Sequence, residues 1–367
     1  MTDQQPFNPK TCVFCGEPPD NKTKEHVIPK WLIELTGDPK RTWNLGVRYS
    51  EEKEAKRERK FAADQFQFPA CEACNITYSD LEGRAKSYVT KLIAGEPLTT
   101  QQWDDLLNWF DKVRIGLWLG MRIFSQELGL VPPKFHINQR IGRKDRCVLV
   151  YRINSDHKGL IMHGGGDPVF MYWPSCLAIT VNNLIFVNIS IEYLLAARIG
   201  FPFPHKLEDV EGLTRVSDFD AFYRTKTPLI RFSFHSATIA VYQAILMKPD
   251  EIIGDGKDEY SALHDHAFVR DRLLPGSDTR SLIHTSDGVI TVACKPDSLI
   301  EERDLPQSAY RHGVDYLIRF FEYREHMLQN YLDSGRGQHS AALIKALVKF
   351  NRTAIEDLED DWRNAQR

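Results

Sequence analysis

The sequence lacks an excess of basic charge. It contains 47 lysines and arginines against 50 aspartates and glutamates, which gives a formal net charge of -3. This balance excludes a protein that coats DNA through a uniformly positive surface, although it leaves room for a local basic face. Individual motifs, rather than overall charge, must therefore carry any evidence of function.

Long apolar runs are also scarce. Residues 1–10 are polar, so we expect no secretory signal peptide at the start of the sequence. The most apolar stretch, residues 176–200, is interrupted by three asparagines and Glu192. Polar side chains at these positions argue against a membrane-spanning helix. We therefore expect a globular protein of the cytoplasm that does not contact a membrane.

Cysteine is rare, with 7 in 367 residues, yet four of these residues form two CxxC pairs. Cys12 and Cys15 make the first pair, and Cys71 and Cys74 make the second. Two thiols at this spacing can bind one tetrahedral ion, and two such pairs can complete a closed four-thiolate zinc site. Because such a site leaves no position for water, we expect a structural zinc ion that positions other, reactive residues.

Three polar residues beside the cysteine pairs are candidates for that chemistry. Glu25 and His26 are adjacent, and Asn75 directly follows the second pair. Histidine has an unperturbed pKa of about 6.5, so His26 can accept a proton from water at cellular pH. Glu25 and Asn75 offer the hard oxygen ligands that suit Mg²⁺. Neighbouring residues of a strand face opposite sides, which favours separate roles for Glu25 and His26.

The motifs CVFCG, EHVIP and CEACN together resemble the zinc-containing HNH endonucleases, over residues 10–95. The resemblance implies a treble-clef zinc fold that carries a ββα-metal nuclease site. It implies that His26 is the general base and that Glu25 and Asn75 bind a catalytic Mg²⁺ or Mn²⁺ ion. The implied substrate is DNA.

The middle of the motif departs from this family, whose members often carry an asparagine shortly before the second cysteine pair. Either Gln67 or Asn44 can take that place, and the sequence leaves both open. In the helix that we predict after Cys71, Glu82 either assists the metal ion or is a solvated surface carboxylate.

Basic residues near these motifs give a further indication of a nucleic-acid partner. Lys22, Lys24 and Lys30 flank the Glu-His pair and either contact phosphates or are ordinary solvated lysines. Residues 53–60 are rich in charge, and we interpret them as a solvated helix or mobile loop, with a phosphate-contacting arm as the alternative.

The periodicity of apolar residues predicts an α+β chain in three parts. Residues 1–97 form the nuclease module, which ends in a helix after Cys71, and residues 98–146 form a helical connector around a helix at 101–128. Residues 147–367 form a mixed domain with an antiparallel sheet and a C-terminal helical pair. We expect strands at 147–153, 160–163, 169–173, 177–181, 184–189, 229–234, 281–284 and 289–294, and final helices at 307–332 and 339–364. Asn182 and Asn183 predict a two-residue hairpin turn.

These features predict a metal-dependent DNA endonuclease, of the kind found in bacterial or phage defence or in mobile elements. The C-terminal domain then recognises substrate, regulates the nuclease or forms a homodimer. A non-catalytic zinc module that binds DNA or protein is the main alternative, and an RNA nuclease with the same site is a third. Retention of Glu25, His26 and Asn75 argues against the non-catalytic alternative, since a binding module needs none of them.

Overall fold

The computed structural model describes residues 10–48, 57–124, 135–141, 146–153, 158–163, 176–190, 203–210, 213–220, 237–243, 282–286, 289–293 and 297–303, with isolated positions at 170, 174 and between 315 and 363. This part of the chain combines helices with antiparallel sheets, in agreement with the α+β prediction. None of its helices is both long enough and apolar enough to cross a membrane.

The elements follow one another from the first cysteine pair to the C-terminal helical positions. The helices are α1 (Lys30–Leu35), α2 (Glu72–Ile93) and α3 (Thr100–Phe124), with 3-10 helices at Ala63–Gln65 and Ile137–Gln139. The strands are β1 (Thr23–His26), β2 (Thr42–Arg48), β3 (Arg57–Ala62), β4 (Gln67–Ala70), β5 (Leu98–Thr99), β6 (Arg146–Arg152), β7 (Leu160–His163), β8 (Cys176–Val181), β9 (Leu184–Ser190), β10 (Phe203–Val210), β11 (Leu213–Asp220), β12 (Ile239–Gln243), β13 (Leu282–Ser286), β14 (Val289–Ala293) and β15 (Leu299–Ile300). The described positions between 315 and 363 are helical, as predicted for the end of the chain.

Strands β1 and β4 form an antiparallel pair in which His26 lies opposite Gln67. Helix α2 begins directly after β4. The elements beside the two cysteine pairs are therefore the strands β1 and β4 and helix α2. The backbone N–H of Val13 donates to the carbonyl of Pro69, which attaches the first cysteine pair to β4. The local order is therefore a strand pair followed by a helix.

Residues 57–60 are neither a helix nor a mobile loop, which corrects that interpretation for the described half of the charged segment. They belong to β3, which pairs with β2 and places Asn44 opposite Lys60. Charge content predicted exposure at this point but could not predict a partner strand from an earlier part of the sequence. Residues 53–56 lie outside the described part of the chain.

A seven-stranded antiparallel sheet occupies the later part, in the order β14-β13-β12-β6-β9-β8-β7. The predicted hairpin between β8 and β9 is confirmed, because Val181 pairs with Leu184 and Asn182 has a φ of 54°. The predicted strand at 169–173 is wrong at Phe170, its one described residue, which is helical. The predicted strand at 229–234 lies outside the described residues.

Helix α3 is buried over most of its length. From Trp109 to Met121 every residue is buried, including Asp111, Lys112 and Arg114. Arg114 bonds Asp111 at 2.7 Å and Asn188 of β9 at 2.6 Å, so the buried charges are paired. The residues interpreted as a connector therefore form a central helix. The apolar core runs continuously across the predicted boundaries at 97 and 146, and the division into three parts stays a prediction.

Candidate metal centre and the adjoining histidine

The four cysteine sulfurs of the two pairs form one cluster. All four Sγ atoms lie within 4.8 Å of one another, and those of Cys15 and Cys71 are 3.8 Å apart. Thiolates bound at about 2.3 Å to a tetrahedral zinc ion are separated by about 3.8 Å. The cluster, which comprises Cys12, Cys15, Cys71 and Cys74, therefore has the donor set and dimensions to bind one metal ion such as zinc.

Local backbone bonds hold each cysteine pair in place. In the first pair, Gly16 donates its N–H to the carbonyl of Cys12 at 2.8 Å and closes a tight turn. Gly16 has a φ of 85°, a conformation that other residues rarely adopt. The second pair lies at the start of α2, where Asn75 N–H donates to the carbonyl of Cys71. A turn and a helix N-terminus thus present the four thiols to a common centre.

The environment of Cys12 favours the form that binds metal. Burial by itself raises the pKa of this thiol, but hydrogen bonds from the backbone of Cys15, Cys71 and Phe14 outweigh burial and lower the pKa. The N–H of Cys71 lies 3.3 Å from Cys12 Sγ and is one of these donors. Because metals bind thiolates rather than thiols, this shift assists metal binding.

A short segment after α3 covers the cluster from outside. Asn138 donates its backbone N–H to Phe14 at 2.9 Å, and its side-chain nitrogen lies 4.0 Å from Cys74 Sγ. Tyr78 donates its hydroxyl to Asn138 Oδ1 at 2.9 Å and stacks on Phe14. Sequence reasoning missed this layer, since residues 138–146 gave only the signal of a basic connector.

His26 ends β1 and is half-buried beside β4. Its Nε2 atom lies 2.8 Å from Nε2 of Gln67, which also donates to the carbonyl of Asp64. An amide nitrogen can only donate, so His26 Nε2 accepts and the ring is neutral in this arrangement. Gln67, one of the two candidates for the middle position of the motif, therefore contacts the predicted base. The side chain of Asn44, the other candidate, is outside the described part.

The charge state of His26 follows from its surroundings. Burial lowers the pKa of His26, and the nearby charge of Lys30 lowers it further. Contacts with Asp64 oppose this shift without reversing it. His26 is consequently neutral at cellular pH, which is the form that a general base requires.

Glu25 points to the other side of β1 and into the protein. It is 6% exposed, and its Oε1 atom lies 2.5 Å from Nζ of Lys112. Lys112, whose side chain is 1% exposed, also bonds Glu82 of α2. Two carboxylates thus share one buried ammonium group, and we refer to Glu25, Lys112 and Glu82 as the buried triad.

Glu82 is not a solvated surface carboxylate, which corrects that alternative. Its side chain is 17% exposed, and its Oε2 atom accepts from the indole N–H groups of Trp31 at 2.7 Å and Trp109 at 3.2 Å. Helix α3, the next helix along the chain, covers this face of α2. The only signal for Lys112 was that it belongs to a short charged group, with Asp111 and Arg114, within the apolar stripe of the predicted helix.

The pKa values of Glu25 and Lys112 reflect deep burial and close charges. Burial raises the pKa of Glu25, despite the opposing charge of Lys112. Burial alone would lower the pKa of Lys112, but the charges of Glu82 and Glu25 raise it above its ordinary value. The ammonium group therefore stays protonated and neutralises one of the two carboxylates.

Asn75 lies on the same side of β1 as Glu25. Its Nδ2 atom donates to Oγ1 of Thr23 at 3.3 Å, and Thr23 precedes Glu25 by two strand positions. Asn75 donates through its nitrogen atom, so its Oδ1 atom takes no part in this bond. Oδ1 is the atom that a metal ion would bind. The structure thus brings Asn75 and Glu25 to one face of β1 and His26 to the other.

The three candidate DNA-binding lysines, Lys22, Lys24 and Lys30, are all exposed. Lys30 begins α1, and its effect on the pKa of His26 shows that it lies near the ring. Exposed ammonium groups around a neutral histidine can contact a phosphate, although solvated lysines have the same exposure.

No protein-family model, curated protein or solved structure matches this chain.

Proposed function

We propose that this chain is a metal-dependent HNH-type endonuclease that hydrolyses DNA phosphodiester bonds, with His26 as the general base. The observation that carries the proposal is the placement of His26. A neutral, half-buried imidazole ends a strand that is paired to β4 beside a four-cysteine cluster, with exposed Lys30 nearby. An inert zinc ribbon has no need of this combination.

The proposed scaffold is a treble-clef fold around one structural zinc ion per chain. A cysteine pair on a tight turn, an antiparallel strand pair and a cysteine pair at the start of α2 support this proposal. Four thiolates complete the coordination of zinc, so the ion supplies folding energy rather than an activated water molecule.

In the proposed reaction His26 removes a proton from an attacking water molecule. The water oxygen forms a bond to phosphorus as the bond between phosphorus and the 3′ oxygen breaks, and the departing 3′ oxygen takes a proton from solvent while His26 releases its proton to solvent. The side-chain nitrogen of Gln67 lies 2.8 Å from Nε2 of His26. The Gln67 side chain must therefore move away before a water molecule can contact this nitrogen. In this proposal the exposed Lys24 and Lys30 hold the phosphate.

The donor chemistry of Glu25 and Asn75 fits Mg²⁺ or Mn²⁺, because both side chains supply hard oxygen atoms. When bound, such an ion neutralises phosphate charge and stabilises the departing oxygen. Glu25 and Asn75 would hold the ion in this proposal, and the bond between Lys112 and Oε1 of the buried Glu25 competes with it.

We further propose that the protein acts in the cytoplasm in bacterial or phage defence or in a mobile element. This context rests on analogy with the family that the motifs resemble. In this proposal residues 147–367 recognise substrate, restrain the nuclease or form a homodimer.

The test is cleavage of supercoiled plasmid by the purified full chain, with Mg²⁺, with Mn²⁺ and with EDTA. We expect nicked and linear products with either metal and none with EDTA. A parallel reaction on a structured RNA distinguishes a DNA nuclease from an RNA nuclease. Failure to cut DNA under every metal condition, by protein with full zinc content, would overturn the proposal.

One observation favours a second candidate, the non-catalytic zinc-dependent module that binds DNA or protein. Glu25 is buried against Lys112, so it contributes to the packing of α3 as well as to any metal site. This candidate predicts no product in the cleavage assay. It predicts a complex with DNA in a separate gel-shift experiment.

A further inference from the structure

Helix α3 contacts the residues on both sides of His26. Lys112 bonds Glu25, the residue before the histidine. One helical turn later, a Cβ atom added to Gly116 would lie 2.9 Å from Cγ1 and 3.0 Å from Cγ2 of Val27, the residue after it. Such distances are too short for carbon atoms, so Gly116 allows α3 to approach β1 at the position of the proposed base.

The close approach continues into the partner strand. A Cβ atom on Gly120, one further turn along α3, would lie 2.6 Å from Cε2 of Phe68. Phe68 is the strand partner of Glu25 in β4. Three successive turns of α3, at Lys112, Gly116 and Gly120, therefore follow the β1 and β4 pair.

We propose that α3 positions the base: Lys112 and Gly116 fix Glu25 and Val27 against the helix, so that His26 faces away from it towards Gln67. This inference rests on the proposed nuclease function of His26. Alternate residues of a strand share a face, so two anchored neighbours determine the direction of the side chain between them. Lys112 and Gly116 are positioning residues that do not touch the substrate. The catalytic unit then includes α3 and extends beyond residue 97.

The experiment compares Gly116→Ala with Gly83→Ala in the full-length protein. Both change a helical glycine to alanine, but a Cβ atom at Gly83 meets nothing within 4 Å. We expect Gly116→Ala to lower kcat by about 10- to 100-fold, because a displacement of about 1 Å at a reacting group has this effect. KM for DNA and zinc content should stay at the parent's values. Gly83→Ala should match the parent in kcat.

A double variant tests the contact itself. Val27→Ala removes the two atoms closest to the new methyl group, so Gly116→Ala should cost much less kcat in the Val27→Ala background. An equal loss in both backgrounds would contradict the proposal. If Gly116→Ala alone does not fold, Lys112→Arg provides the second test, because it keeps the positive charge beside Glu25 and Glu82 and changes the geometry of the anchor. The same loss of kcat at unchanged KM is expected.

A readout independent of cleavage separates this inference from the proposed function. The ring signal of His26 in an NMR spectrum, identified by its loss in His26→Ala, should shift in Gly116→Ala but not in Gly83→Ala. If the His26 signal shifts in Gly116→Ala but the parent never cuts DNA, the positioning role is supported and the nuclease is rejected. Active Gly116→Ala protein with the parent's kcat and ring signal would overturn the positioning role and leave the nuclease intact.

Discussion

Nζ of Lys112 lies 2.5 Å from Oε1 of Glu25, and this bond joins α3 to the strand that carries His26. The same ammonium group bonds Glu82, so it connects β1, α2 and α3 inside the protein. The element interpreted from sequence as a connector is therefore built into the candidate site.

Removal of this ammonium group should be strongly destabilising. Lys112→Met leaves two carboxylates without their cation in a buried position, and we expect the free energy of unfolding to fall by about 3–5 kcal/mol. Urea denaturation of the full chain provides the measurement. Lys22→Met, at an exposed position, is the matched control and should change stability by less than about 0.5 kcal/mol. A loss below about 1 kcal/mol for Lys112→Met would show that the triad is not the buried charge cluster described.

The cysteine cluster should hold one metal ion, which we expect to be zinc, per chain. Cys15→Ser should abolish zinc binding and unfold the region around β1, β4 and α2, because binding energy is largely folding energy in such sites. Elemental analysis and circular dichroism are the measurements. Cys147→Ala removes a buried cysteine outside the cluster and should leave the zinc content unchanged. Freely titratable thiols at all four cluster positions in metal-free, folded protein would contradict this prediction.

The pH dependence of cleavage should report the environment of His26. Burial and Lys30 lower its pKa, so the acidic limb of the rate profile should have its midpoint below about 6.5, with activity lost as pH falls. Lys30→Gln removes a positive charge near the ring, so it should raise the pKa of His26 and move the midpoint to higher pH. Lys22→Gln is the control and should not move it. A midpoint that is identical in the parent and in Lys30→Gln would argue against His26 as the titrating group.

The proposed ligands of the catalytic ion should differ from the base in phenotype. Asn75→Ala and Glu25→Gln should raise the Mg²⁺ concentration needed for half-maximal cleavage, because the first removes an oxygen ligand and the second removes the negative charge and one carboxylate oxygen of another. His26→Ala should leave that concentration unchanged while lowering the maximal rate. Metal titrations of plasmid cleavage provide the comparison, and an unaltered Mg²⁺ requirement in both ligand variants would remove Glu25 and Asn75 from the metal site.

The sequence predicted the features that depend on local patterns. The CxxC spacing predicted that the four cysteines form one cluster, and apolar periodicity located α2 and α3. The tolerance of asparagine for positive φ predicted the turn at Asn182. These signals lie within a few residues of the structure that they determine.

Features created by distant contacts were not predictable in the same way. The burial of Glu82 and the contact of Asn138 with the cysteine cluster depend on segments that are far apart in sequence. The pairing of β3 with the preceding strand β2 was instead hidden by the charged composition of residues 53–60. Lys112 carried a weak signal as a charge among apolar residues, but only the fold identifies Glu25 and Glu82 as its partners.

The most direct measurement of the central claim is the single-turnover rate of plasmid cleavage by His26→Ala beside the parent, at saturating Mg²⁺. The account predicts a loss of roughly 10²- to 10⁴-fold, the usual effect of removing a positioned proton acceptor. Zinc content, melting temperature and DNA affinity should remain at the parent's values. His26→Ala protein that cuts DNA at the parent's rate with the same metal requirement would contradict the account.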